Sequence, residues 1–451
     1  MRRIGFYGVW AALALTCCRA PAPPAAASKP EVLRAQAFQS NFPLARHTYN
    51  GLSAASDGRI YYVLSSSDLD TGGRMFVYDP AAGAVEAVGD LTEACGEKNR
   101  KAIPQGKSHV PFFEADGKLY FATHAGYYTL RDGRERMANP PPAGYRPYPG
   151  GHFLAFDLKT RTFTDLAKAP EGQGILTMTM DPARGRLYGL TWPDGYFLRF
   201  DLRTSELKNL GRVSARGEAG EGSTYRSLCR AMVADPRDGA VYLTTAEGTI
   251  LRYRYDRDAL ETVAGDDLRK DYFGIFDPAK PGHMGYHWRQ AVWYGADNVI
   301  YAVHGNSGYL FRFDPRAERV ELLGRLTALP SRRAGMFDKF YYGYLGFTLG
   351  PDGRTLYYLT GGVIWQDGKP LLAREAGKLG AQGEENLHLV TWDIPEGRYR
   401  DHGPILLPGG VRPSWVNSIA VGRDGAVYAV AGFQDGGRER TDLIRVAPVR
   451  P

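Results

Sequence analysis

Long apolar runs are missing from nearly all of the chain. Beyond the N-terminus no stretch approaches the roughly 20 residues that a transmembrane helix needs. Cysteine is scarce: of four in 451 residues, Cys17 and Cys18 sit in the N-terminal apolar segment, leaving Cys95 and Cys229. Two cysteines make no disulfide framework, although in an oxidising compartment they can pair. Runs of Lys and Arg are absent, which removes nucleic acid as a partner. There is no GxSxG, P-loop, HExxH or CxxC signature, so serine hydrolases, phosphate-loop enzymes, helical zinc proteases and dithiol redox enzymes are set aside.

What is present is aromatic and glycine-rich: 28 Tyr, 20 Phe, 7 Trp and 55 Gly. Tyr and Phe favour strands and Gly favours tight turns. The first residues read as an export signal. A basic "MRR" precedes the apolar "IGFYGVWAALALTCC" and a Pro/Ala linker, "APAPPAAASKP". Two cleavage readings stay open, a lipobox-like "LTCC" with Cys18 lipidated and an ordinary site after Ala27. Removing residues 1–27 takes away Arg2, Arg3 and Arg19 and no acid, so the formal charge falls from +7 to +4. The expected location is outside the cytoplasm, in the periplasm, on the outer membrane as a lipoprotein, or secreted, with a membrane contact only through a lipid anchor.

After this segment one unit recurs. It has an apolar strand, an Asp-Gly turn, a strand rich in Tyr and Leu, a loop, then "FxxDP" or "FDL" and a strand ending near Leu. The clearest copies are "GRLYGLTWPDGYFLRFDLRTSELKNLG" (185–211) and "NVIYAVHGNSGYLFRFDPRAERVELLG" (298–324). Others begin at residues 57, 116, 238, 352 and 424, making seven. Period-two alternation broken by Gly or Asp excludes helices. A repeat near 40 residues with four strands predicts a β-propeller blade. The expected fold is therefore an all-β, seven-bladed β-propeller over 48–451, behind a linker and closing strand at 28–47. The last copy lacks a clear fourth strand, and "EVLRAQAFQS" (31–40) is expected to supply it, which removes the exposed sheet edges.

In a propeller the starts of first strands and the loops between second and third strands share one face. "SHVPFFEADGKLYFATH" (108–124) has His109 at one end of a hairpin and His124 at the other, so both imidazoles are expected at the mouth of the channel. First-strand starts also carry His47 and Tyr49, Tyr225 and Arg226, His287, Trp288 and Arg289, Tyr342 and Tyr344, and Trp415 with Asn417. The loops add His152, Trp192, Tyr196, His304, Asn306, Tyr309, and Asn386 with His388. His283 falls on this face too, and His402 elsewhere. The insertions 125–151 and 361–386 are expected to wall a cleft over the channel. A pocket with convergent titratable groups is the default ligand site.

His, Tyr and Arg without an evident carboxylate pair suit β-elimination beside a carboxylate. Glu384, Glu385 and Asp338 keep a glycosidase open. The glycines around His283 and His287 argue against a helical metal pair, so no cofactor is expected, with a structural or catalytic divalent metal left open. Cys229, in "RSLCRAMV", fits a small strand residue better than a nucleophile. In this expectation His109 and His124 exchange the protons, Arg226 and Arg289 grip the carboxylate, and Tyr344 protonates the leaving oxygen. His152, Trp192, Tyr225, His287, Trp288, His304, Asn306, Tyr309, Asn386, Trp415 and Asn417 line the substrate.

The blade phrase "GYLFRFDP" resembles the repeats of streptogramin-lyase-type propellers, and the His–hairpin–His stretch resembles that of some ulvan lyases, with a shorter separation here. Oligogalacturonate lyase is a further seven-bladed propeller with rim His, Tyr and Arg, but its metal-binding His/Gln cluster is not found. The resemblance implies a monomeric, exported polysaccharide lyase acting on an anionic polysaccharide or oligosaccharide that contains uronate. The alternatives are a non-catalytic glycan- or protein-binding propeller at the cell surface, or a glycoside hydrolase.

Overall fold

The structure, a computed structural model, describes residues 31–131, 134–279, 284–329, 346–360, 365–366, 369–370, 387–413 and 415–450. The export segment, His283, Asp338, Tyr342, Tyr344, Glu384, Glu385 and Asn386 lie outside them.

The described chain is an all-β propeller. Its strands sort, in sequence order, into four-stranded antiparallel units. Blade 1 holds Leu52–Ala54, Ile60–Leu64, Arg74–Asp79 and Ala84–Asp90. Blade 2 holds Phe113–Ala115, Lys118–Ala122, His152–Asp157 and Phe163–Lys168. Blade 3 holds Gly174–Asp181, Arg186–Trp192, Tyr196–Asp201 and Glu206–Arg212. Blade 4 runs from Val233–Ala234 to Ala259–Thr262, and blade 5 from Trp288–Tyr294 to Arg319–Arg325. Blade 6 runs from Phe347–Leu349 to Arg398–Leu406. The last unit begins at Trp415–Val416 and Ala420–Val421 and continues through Val427–Asp435 and Arg438–Val446.

Its fourth strand comes from the other end of the chain. Leu33–Phe38 lies antiparallel on Arg438–Val446, with Ala35 facing Val446 and Phe38 facing Leu443. The start of the same strand pairs in parallel with blade 6, Leu33 opposite Ile405. The apolar core follows the ring. One cluster joins blades 1 to 3, another blades 3 to 5, and others blades 5 and 6 and blade 6 with the last unit. Tyr428 and Leu443 of the last blade then pack with Phe38, Leu52 and Tyr62, so the last blade and the first share a core.

The Asp116-Gly117 turn of blade 2 has positive φ at both residues, 50° and 71°. That is the two-residue turn whose twist matches antiparallel strands. Beyond Lys118–Ala122 the chain makes a second, shorter ladder. Gln105–Lys107 pairs with His124–Ala125, and Lys107 faces His124. Gly106 and Gly126 permit this approach, since a Cβ on Gly106 would fall on the Gly126 backbone and one on Gly126 on the Ser66 carbonyl.

Candidate functional site

The two imidazoles meet, but the short ladder rather than the hairpin alone brings them together. His124 begins its own strand opposite Lys107, and His109 follows two residues after Lys107. The ring centroids of His109 and His124 lie 5.9 Å apart. Tyr49 packs on His109 at 5.1 Å and Trp192 on His124 at 5.5 Å. Tyr128 closes the group, edge-on to Trp192 at 5.3 Å, with its hydroxyl 2.9 Å from His124 Nδ1. Lys107 Nζ sits 3.8 Å from the Tyr49 ring centroid and 4.6 Å from that of Tyr128. Gly174, at the start of blade 3, makes room for the imidazole; a Cβ there would lie 2.6 Å from His124 Cγ.

The bonds assign a tautomer to His124. The Tyr128 hydroxyl donates to the Ala125 carbonyl, and it has one proton to give. Nδ1 of His124 is then the donor, to Tyr128 and to Ala125 O at 3.3 Å. Nε2 keeps its lone pair. Among the described residues His109 Nδ1 is buried without a hydrogen-bond partner.

Cations dominate the field here. Burial pushes the His109 pKa well below 6.5, and Lys107, His124, Arg230 and Arg289 push it further. His124 is also held well below 6.5, by burial and then by Lys107, against the Ala125 bond. His109 as a whole residue is half-buried. Burial lowers Lys107 to about 7, with Glu135 opposing and Arg230 assisting. Burial raises the Tyr128 hydroxyl well above 10. Glu218 braces one wall: it accepts from Trp192 Nε1 at 2.8 Å and pairs with Arg230 at 2.7 Å.

Other expected site residues lie elsewhere. Arg226 is paired with Glu247 and donates to the Ser223 and Tyr225 carbonyls, which ties its guanidinium to its own loop. Its neighbour Tyr225 is buried with the Arg134 guanidinium 5.2 Å from its ring. His152 is no rim ligand: it bridges Asp165 at 2.9 Å and Glu97 at 3.2 Å inside the fold. His287 is likewise satisfied, by Thr244 at 2.9 Å and the Ser227 carbonyl at 2.9 Å. Trp288 is 0% exposed with its Nε1 bonded to Ala231 O, so it cannot stack on a sugar. His304 is buried, stacked on Phe273 at 4.1 Å and bonded to Ser307. Asn306 clamps its loop to Met284 and Gly285. Tyr309 is half-buried beneath Arg325. Asn417 donates to the Thr48 carbonyl at 2.6 Å, a tie between the last blade and the first. Trp415 pairs with Gly432 through its backbone.

Sequence reasoning passed over Lys107 and Arg230 and left Tyr128 inside a long insertion. The available signal was position, since Lys107 stands two residues before His109, on the strand that brings it in. Cys95 and Cys229 are both buried free thiols. Among the described residues no three His, Cys, Asp or Glu side chains group to hold a metal ion. Two surface clefts of about 300 and 310 Å³ lie over blade 5, around Arg312 and Glu321, and beside blade 1, around Asp70 and Lys101. The His109 cluster lines neither. Convergent groups displaced far from their ordinary pKa values mark a functional site better than a groove of solvated charges does.

No family model matches the sequence, and no curated protein matches it. Among solved structures, similar ones include the extracellular domain of a protein described as a hybrid two-component system from B. thetaiotaomicron. The TM-score is 0.49 at 10% identity, covering 92% of this chain and 39% of that one. This chain thus spans well under half the length of that extracellular domain. A protein from Lactobacillus plantarum matches with TM-score 0.49 and 14% identity, covering 87% of this chain and 97% of that one. The Swd1 β-propeller domain of Myceliophteria thermophila matches with TM-score 0.49 and 10% identity, covering 92% and 100%. Likeness at this level says nothing about activity, and the propeller architecture stands on the strand order and pairing described above.

Proposed function

We propose that the chain is an exported lyase that cleaves a carboxylate-bearing glycan by β-elimination in the channel cluster. The observation that carries this is the 5.9 Å approach of two neutral imidazoles inside a field of Lys107, Arg230 and Arg289. A uronate carboxylate is attracted by that field, and its neutralisation by guanidinium acidifies the α-proton. His124 Nε2 or His109 accepts that proton. The electron pair forms the carbon–carbon double bond, the β carbon–oxygen bond breaks, and a proton passes to the leaving oxygen from Tyr128, whose hydroxyl the imidazolium formed at His124 then reprotonates across their 2.9 Å contact. A depressed imidazole is a weak base on its own. The arriving carboxylate offsets the surrounding cations and raises its basicity when substrate is bound.

The test is a screen of uronate polysaccharides for the ultraviolet absorbance of an unsaturated uronate. Absorbance that appears with the wild-type chain and vanishes in His124→Ala supports the proposal. A second reading, a glycan-binding propeller without turnover, is favoured by the internal pairing of Arg226, His152 and His287. Saturable binding of a uronate oligosaccharide with no new absorbance selects that reading instead.

A further inference from the structure

Lys107 takes no part in the proton transfers above, yet it lies at the centre of the cluster. It is 4% exposed. It faces His124 directly across the short ladder, where opposite Cα atoms lie about 4.5–5.5 Å apart. Its ammonium is held between two rings, and each ring also touches one imidazole: Tyr49 meets His109, and Tyr128 meets His124. No carboxylate among the described residues forms an ion pair with it. Glu135, on the hairpin formed by Thr129–Arg131 and Arg134–Arg136, acts on it from further away. Arg230 contributes like charge.

We propose that Lys107 is a positioning residue for this site: its ammonium, caged by Tyr49 and Tyr128, acts on both imidazoles at once and keeps them unprotonated until an anion enters. The role rests on His109 and His124 being the working pair. A positive charge beside two imidazoles disfavours a second and a third charge in the same buried space. Among the charged neighbours Lys107 stands first in its effect on both rings, ahead of Arg230 and, for His109, Arg289. An entering carboxylate offsets the charge on Lys107, and the imidazoles are then free to accept a proton. The cage matters because a tyrosine face stabilises the ammonium without neutralising it, as a carboxylate would.

The experiment is a histidine NMR titration of the full chain without substrate, in wild type, Lys107→Met and Lys107→Arg. In Lys107→Met the His109 and His124 midpoints are expected to rise by about one pH unit, a tenfold gain in proton affinity. In Lys107→Arg they stay low, and His287, satisfied on both nitrogens, serves as the unmoved control. Should both midpoints in a folded Lys107→Met stay where the wild type has them, the role is overturned. If Lys107→Met does not fold, lysine-labelled wild type decides: an ε-methylene resonance of Lys107 shifted upfield by the two tyrosine rings supports the cage, and one at the position of an exposed lysine overturns it. Neither measurement uses a substrate, so failure of this inference and failure of the lyase screen are read separately.

Discussion

His152 and His124 are both buried, and their neighbours send them in opposite directions. Burial disfavours the charge on His152, but bonds to Asp165, Cys95 and Glu97 outweigh it and raise the pKa to about 11. A group raised in the fold stabilises fully below its unfolded value, near 6.5, and loses that contribution as pH rises through the folded value. The difference in stability between wild type and His152→Ala should therefore shrink from pH 6.5 upward. Near neutrality the substitution leaves Glu97 buried without its cation and should cost about 3–5 kcal/mol, read from urea unfolding. His109→Ala makes the opposite case. Its Nδ1 has no hydrogen bond to lose, so stability should change by under about 1 kcal/mol while turnover on any substrate found by the screen disappears. A variant with near-wild-type turnover would remove His109 from the chemistry. The sequence put His109 at the start of a first strand and His124 at the end of a second, whereas His109 lies between Gln105–Lys107 and Phe113–Ala115 and His124 opens a short strand of its own. It could not say which way each ring turned, because strand alternation does not distinguish the channel from the space between blades. That is why Trp288 and His287, at a first-strand start, belong to the core.

At the scale of elements the legible signals were turns and repeats. Asp-Gly pairs predicted the hairpins because positive φ is cheap there, and Asp116-Gly117 has that geometry. The ladder between Gln105–Lys107 and His124–Ala125 gave no such sign. It is three residues on one side and two on the other, and two glycines at backbone contact make it. The hairpin at 129–136 was hidden for a similar reason. It has little apolar alternation and is held by charge, with Arg136 donating to the Glu218 and Gly220 carbonyls and Arg131 3.6 Å from Glu221. Gly174→Ala tests how tightly these elements fit. Its Cβ would press on the His124 ring, so the strand or the imidazole must shift, at about 1–3 kcal/mol for overpacking. The expected result is a lowered melting temperature together with a displaced His124 resonance. An unchanged resonance would mean that the ring is not seated against blade 3.

Over the whole molecule, ring closure joins the two ends of the described chain, and titration reports on the ring as a unit. His287, His304 and His402 are pushed by burial to about 4, 3 and 4, and His109 and His124 move the same way. All are neutral in the fold near pH 5, whereas in the unfolded chain they bind protons below about 6.5. The unfolded state thus holds more protons in this window, and stability must fall as pH drops below 6.5. Each fully buried member contributes up to about 1.4 kcal/mol per pH unit. Carboxylates act lower. Asp258, held at about 2 against burial by Lys208, Tyr253 and Arg199, loses its contribution only between about 3.8 and 2. On the alkaline side the signs oppose. His152 favours unfolding as pH rises above 6.5, while Lys107, lowered to about 7, favours folding from there toward 10.4, because the unfolded lysine stays protonated. The urea midpoint should therefore drop from pH 6.5 to 5 and change far less from 7 to 10. In Lys107→Met the alkaline balance is lost, and the midpoint should decline steadily from 7 to 10. A wild-type midpoint that stays level between pH 6.5 and 5 would mean that these imidazoles titrate in the fold as they do in water, and that the interior between the blades is wetter than its packing requires.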